Sequence, residues 1–162
     1  MQIASSVTLL LIEDNHGDVM LFRFAIEGET RNIVLRVAKN VDEGIGLLTG
    51  TGNDGVPLRP SVILLDLHMP GKDGMSFLKY RSESPELALI PVIVLSSSTR
   101  QKDINECMQL GVLRYRIKPL NWPGYQLLIS ELRPFWDEGA PSAAADRPSD
   151  ARPPCTSPDI GR

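Results

Sequence analysis

Cysteine is scarce: the 162 residues hold two, Cys107 and Cys155. One falls in a helical pattern and the other in a proline-rich stretch, so neither a disulfide framework nor a thiolate metal site is supported. Neither sign of charge dominates. Lys plus Arg number 17 and Asp plus Glu 20, a net charge of -3. A chain this weakly acidic lacks the basic face that general nucleic-acid binding needs, so no nucleic-acid partner is expected. No apolar run approaches the ~20 residues that cross a bilayer, which removes a membrane partner as well. The segment from Met1 to Ser6 has no basic n-region and does not read as a secretory leader. A cytoplasmic location is the resulting expectation. Nucleotide-binding loops are also missing. Gly50-Thr-Gly-Asn-Asp-Gly55 fits G-x-G-x-x-G by letter, but it follows a helical pattern and is followed by Val56-Pro57-Leu58-Arg59-Pro60. Both contexts are wrong for a dinucleotide turn, so it is a loop.

Composition shifts at the end of the chain. Residues 139–162 hold five prolines and one large aliphatic side chain, Ile160. Such a stretch cannot bury enough apolar surface to offset its ordering entropy. The expected organisation is one folded domain over residues 6–137 and a disordered Pro/Ala-rich tail over 138–162.

Within the domain, apolar runs of strand length alternate with helical patterns. The runs are Val7–Ile12, Asn32–Ala38, Ser61–Asp66, Ile90–Leu95 and Leu113–Ile117. Between them lie Val19, Phe22 and Ile26 over 16–28, and Val41, Ile45 and Leu48 behind a capping Asn40. Met75, Leu78 and Tyr80 over 74–82, and Ile104, Cys107, Met108 and Leu110 over 100–110, continue the pattern. A last helix carries Pro123 in its first turn, with Tyr125, Leu128, Leu132 and Phe135. Near-continuous apolar strands alternating with helices predict a parallel sheet covered on both faces. Five such units fit an α/β, flavodoxin-like doubly wound fold with strand order 2-1-3-4-5. The fifth run alternates more than the others, as an edge strand should.

Open parallel sheets bind ligands at the carboxyl ends of their strands. Those ends here carry Glu13-Asp14 after the first strand, Asp66 on the third, Ser96-Ser97-Ser98-Thr99 after the fourth and Lys118-Pro119 after the fifth. Three carboxylates, a hydroxyl and an ammonium converge on one crevice. Unpaired carboxylates this close raise one another's pKa values, and an oxygen-seeking divalent cation relieves them. Mg²⁺ suits such a site, taking one or two carboxylates, waters and a phosphate oxygen.

These motifs resemble the receiver domain of bacterial two-component response regulators. The resemblance rests on Leu11-Ile-Glu-Asp-Asn15, Leu64-Leu-Asp-Leu-His-Met-Pro-Gly-Lys-Asp-Gly74, Pro91-Val-Ile-Val-Leu-Ser96 and Tyr115-Arg-Ile-Lys-Pro119. Glu13-Asp14-Asn15 followed by Asp18 and Leu21, the long loop before the third strand, and Phe135-Trp136 are similar to the stand-alone regulators that partner bacterial phytochromes. The resemblance implies that Asp66 is the phosphoacceptor, taking a phosphoryl group from a histidine kinase in a Mg²⁺-dependent step. Glu13, Asp14, Asp66 and the carbonyl of His68 are implied as the metal site. Lys118 is implied as a fixed cation, Ser96 as the switch hydroxyl, and Tyr115 as the aromatic that moves with it. The family's proline after the lysine, here Pro119, follows a cis bond. A sensor histidine kinase, a bacteriophytochrome in the finer reading, is the implied partner. The protein is then a phosphoacceptor rather than an enzyme with an external substrate.

Several points stay open on the sequence. His68 is either a rim residue that lends only its carbonyl or a ring that tunes hydrolysis of the acyl phosphate. Ser98 is the other rim position that affects access of water. Met20 and Phe24 are either extra core packing or a kinase-docking patch. Phe135 and Trp136 either fold back on their own helix or pack against a second copy, making a dimer through the fifth strand, the final helix and the segment after it. A pseudo-receiver without phosphorylation predicts loss of Asp66, one of the acidic pair or Lys118, and none is lost. A phosphatase of the Asp-nucleophile type places D-x-D after an early strand, whereas Asp66-Leu67-His68 follows the third.

Overall fold

The computed structural model describes residues 6–52 and 55–137. The expected tail and Cys155 lie outside the described residues. Five strands, β1 (Val7–Ile12), β2 (Ile33–Ala38), β3 (Val62–Asp66), β4 (Val92–Ser96) and β5 (Arg114–Ile117), form one sheet in the order β2-β1-β3-β4-β5. Every pairing is parallel. The expected strand order is thus the observed one. All residues of β3 and β4 are buried, whereas β5, at the edge, is buried on neither face throughout.

Alternation along the central strands divides the core into two layers. Leu10, Ile12, Ile63, Leu65, Val92 and Val94 point to one face, where they meet Val41, Leu48, Phe77, Leu78 and Cys107. Those residues come from α2 (Val41–Thr49), α3 (Gly74–Glu83) and α5 (Gln101–Gln109). Leu9, Leu11, Val62, Leu64, Ile93 and Leu95 point to the other face, against Val19, Phe22, Leu128, Ile129 and Leu132. These belong to α1 (His16–Glu27) and α6 (Trp122–Leu132).

Side-chain caps place the helix starts. Asn15 accepts from the Asp18 amide, Asn40 from Glu43, Asp73 from Ser76 and Asn121 from Gly124, so each satisfies an orphan N–H at a helix start. Proline shapes two boundaries. Pro91 has no N–H to donate, and the fourth strand begins at Val92, two residues after the start of its apolar run at Ile90. A short helix, α4 (Pro85–Ala88), was not expected; Ser84 caps it and Pro85 opens its first turn. Two carried-over expectations are corrected. Among the described residues there is no cis peptide bond, so Lys118–Pro119 is trans. Phe135 and Trp136, expected as a surface for a second copy, are 3% and 4% exposed and belong to the core of their own domain. Pro134 ends α6 and opens a last turn, α7 (Pro134–Asp137), that folds back. Arg133 holds the bend through two hydrogen bonds to Glu29, at 3.1 and 3.0 Å.

Candidate phosphoacceptor and metal site

The carboxyl ends of β1, β3, β4 and β5 meet as the topology requires. Asp66 ends the central strand β3 and is 4% exposed. Glu13, directly after β1, is 3% exposed, while its neighbour Asp14 faces solvent. Carboxylate oxygens of Glu13, Asp14 and Asp66 all lie within 4.8 Å of one another, a spacing at which three acids can share one cation. Glu13 accepts from the Asn15 amide at 3.0 Å, which fixes its carboxylate beneath the start of α1. The His68 amide donates to Asp66 at 3.2 Å, so the Leu67–His68 peptide runs beside that carboxylate.

Lys118 closes the cluster. Its Nζ lies 2.7 Å from Glu13, 2.9 Å from Asp18 and 3.2 Å from Asp66. Burial works against the charged ammonium, but the hydrogen bonds to Glu13 and Asp18 and the charges of Glu13 and Asp66 outweigh it and raise the lysine pKa. Burial also disfavours charge on Glu13. With repulsion from Asp66 it pushes that carboxyl up to about 7, against the pull of Lys118 and the Asn15 amide. A buried carboxyl so perturbed is a characteristic of functional sites. The donor set fits a divalent cation: oxygen ligands only, a negative excess, and one acid whose ionisation is opposed by burial and by the Asp66 charge. Glu13, Asp14 and Asp66 are the groups that would hold it.

Ser96 and Tyr115, expected as switch residues, lie at the end of β4 and within β5. Ser96 ends β4, is fully buried, and its Oγ is 3.2 Å from Nδ1 of His68. Oγ also accepts from the Ser98 amide at 3.1 Å. Ser98 in turn donates to Asp103 at 2.6 Å, and its carbonyl accepts from the Tyr115 hydroxyl at 2.9 Å. Hydrogen bonds therefore run from the rim of the acceptor site to the first turn of α5 and to β5. His68 is exposed, as a rim residue should be, yet its ring touches the switch hydroxyl.

Of the residues singled out at strand ends, Glu13, Asp14, Asp66 and Lys118 come together, while the Ser96 hydroxyl meets His68 and the Ser98 amide. Two that matter were not assigned a place: Asp18, quoted only as part of a motif, and Tyr125, taken for core. The Tyr125 hydroxyl donates to Asp18 at 3.4 Å. Burial and the Asp18 carboxylate push the phenol up to about 12. The available signal was position: Asp18 lies in the first turn of the helix that opens over Glu13. Phe24 on α1 is half exposed and Met20 half-buried, so Phe24 lies outside the core.

A doubly wound α/β sheet with a buried acid, an acidic pair, a lysine and a hydroxyl at its strand ends defines a signalling receiver module. The sequence model of the response regulator receiver domain matches residues 9–126, and the chain belongs to that family. It is 34% identical over 131 residues to the probable methanogenesis regulatory protein FilR2 of Methanothrix harundinacea, covering 79% of this chain and 82% of that one. Identity to the response regulator Rcp1 of Synechocystis is 30% over 137 residues, 85% of this chain and 93% of the relative. The crystal structure of the phosphorylated cyanobacterial phytochrome response regulator RcpA matches with a TM-score of 0.78 at 30% identity, covering 85% of this chain and 99% of that one. The Mn²⁺-bound form of Rcp1 matches at 0.75 and 29%, covering 84% and 98%. No helix among the described residues is long and apolar enough to cross a membrane.

Proposed function

We propose that the protein is a stand-alone response regulator that accepts a phosphoryl group from a sensor histidine kinase on Asp66. The supporting observation is the placement of Asp66: buried at the end of the central strand, beside two further acids and 3.2 Å from the Lys118 ammonium. An Asp66 carboxylate oxygen forms the new P–O bond as the P–N bond to the kinase histidine breaks. The product is an acyl phosphate. Glu13, Asp14, Asp66 and the His68 carbonyl would hold Mg²⁺, which when bound supplies charge neutralisation for the transferring phosphoryl oxygens. Lys118 places a fixed positive charge on one of those oxygens. Ser96 turns from His68 to hydrogen-bond the phosphoryl group, and Tyr115, bonded to the Ser98 carbonyl, follows the rearranged loop. A bacteriophytochrome is the proposed kinase, since the regulators that match over nearly their whole length include phytochrome partners by name. Residues 6–137 are the working unit, in the cytoplasm, and 138–162 are dispensable for phosphotransfer. With Phe135 and Trp136 buried, self-association falls to the β5–α6 face, where Ile117 and Leu127 are exposed.

A pseudo-receiver would lack at least one of the acceptor, the acidic pair and the lysine, and none is missing here. The test is phosphotransfer from a co-encoded kinase with Mg²⁺ present. Wild type takes up acid-labile label, and Asp66→Asn takes up none while keeping its fold by circular dichroism. Undiminished label on Asp66→Asn overturns the assignment.

A further inference from the structure

Lys118 carries three N–H donors and meets three carboxylates, those of Glu13, Asp18 and Asp66. Two of these, Glu13 and Asp66, belong to the group of acids spaced to share a cation; Asp18 does not. A cation on Glu13 and Asp66 draws on the same two carboxylates that the lysine now uses. An ammonium whose side chain is only 17% exposed cannot give up its acceptors cheaply, because unmet buried N–H groups of a charged donor are costly. Asp18 is the acceptor left to it. Its carboxylate is well braced for that part. The Asp18 backbone is fixed in the first turn of α1 by its amide bond to Asn15 at 3.1 Å. Its second oxygen accepts from the Tyr125 hydroxyl on α6. Tyr125, Asp18 and Lys118 thus form a chain from α6 through α1 to the end of β5.

We propose that Asp18 is a positioning residue for Lys118: it anchors the ammonium so that Glu13 and Asp66 are free to bind metal and phosphoryl group. Without Asp18 the lysine keeps only the two metal carboxylates as acceptors and competes with the cation for them. This rests on the reading of Glu13 and Asp66 as metal ligands, and it adds a residue the metal site itself does not contain.

The experiment is Mn²⁺ binding to the full, unphosphorylated chain, read from the free-ion signal in electron paramagnetic resonance. Asp18→Asn is expected to weaken binding about tenfold, the scale of coupling between side chains in direct contact. Asp18→Glu restores part of the loss, since it returns the carboxylate. Tyr125→Phe gives a smaller loss in the same direction. In a Lys118→Met background, Asp18→Asn changes the affinity less than about twofold, because a residue acting through Lys118 has nothing left to act on. Equal losses in both backgrounds show that Asp18 contributes only general negative charge and overturn the proposal, as does wild-type affinity in Asp18→Asn. Absence of Mn²⁺ binding by the wild type instead overturns the metal site. Circular dichroism of each variant separates these results from misfolding, and Lys118→Gln serves as the second background if Lys118→Met does not fold.

Discussion

The imidazole of His68 and the hydroxyl of Ser96 are hydrogen-bonded across the acceptor crevice, Nδ1 to Oγ, at 3.2 Å. In the proposed reaction, the serine that reaches a phosphoryl group on Asp66 is therefore tethered at rest. A neutral hydrogen bond contributes about 1 kcal/mol net, and turning Ser96 inward gives this one up. His68→Ala removes the tether. Beryllofluoride with Mg²⁺, which stands in for the phosphoryl group, is expected to bind the variant about fivefold tighter than wild type. Titration followed by tryptophan fluorescence checks this; unchanged or weaker binding assigns His68 to its carbonyl alone.

The raised pKa of Glu13 has a definite sign. Between the ordinary carboxyl value of 4.5 and the folded value of about 7, the native metal-free protein holds a proton that the unfolded chain has released. Stability of the metal-free protein therefore falls as pH rises through that window and levels above it. Lys118 stays charged throughout, because its own pKa is raised. Metal binding requires the ionised acid, so Mg²⁺ raises the melting temperature more at about pH 8 than at about pH 5. Thermal melts of wild type and Glu13→Gln, with and without Mg²⁺, isolate the effect, and a melting temperature that rises from pH 5 to 7 relative to Glu13→Gln contradicts it.

Gly74 opens α3 directly behind the acceptor. A methyl group there would lie 2.5 Å from the carbonyl oxygen of Asp66 and 2.8 Å from Cα of Leu67. Both neighbours are backbone, and the Gly74 amide already donates to the Leu67 carbonyl at 2.9 Å. Gly74→Ala is expected to cost about 1–3 kcal/mol, the range for forcing backbone shifts in a packed site. Because Asp66 itself is displaced, the phosphorylation rate falls as well. Urea denaturation and phosphotransfer measured together test it; a stable variant labelled at the wild-type rate shows that the loop gives way freely.

Phe135 and Trp136 belong to the same core layer as Tyr125, Leu128 and Leu132. Truncating either to alanine is expected to cost about 3–5 kcal/mol, as for other buried aromatics. Trp136→Phe, a milder change, keeps the fold and leaves the sedimentation coefficient as in wild type. A change in oligomeric state with unchanged stability returns these residues to an interface.

Asp66, Glu13, Asp14, Ser96 and Lys118 were legible because each ends or directly follows a strand, and hydropathy period places strand ends. A parallel sheet then carries all those ends to one edge. The same reasoning located Asn40 and Pro123 at helix starts, where capping chemistry is local. It did not see α4, whose four residues are too short for any period to register.

The sequence by itself determined the strand order, the two apolar layers and the acidic crevice, since these follow from local periodicity and from what stands at each strand end. Tertiary structure alone decided which side chains meet. Lys118 reaches Asp18 across 100 positions of sequence, Ser96 reaches His68 across 28, and Arg133 reaches Glu29 across 104. Just after Arg133, Phe135 and Trp136 turn inward onto Leu128, Ile129 and Leu132 in one core layer. Such pairings depend on how helices sit on the sheet, to within a hydrogen bond's length. Helix placement is set by the packing of many side chains at once, and no single stretch of sequence encodes it.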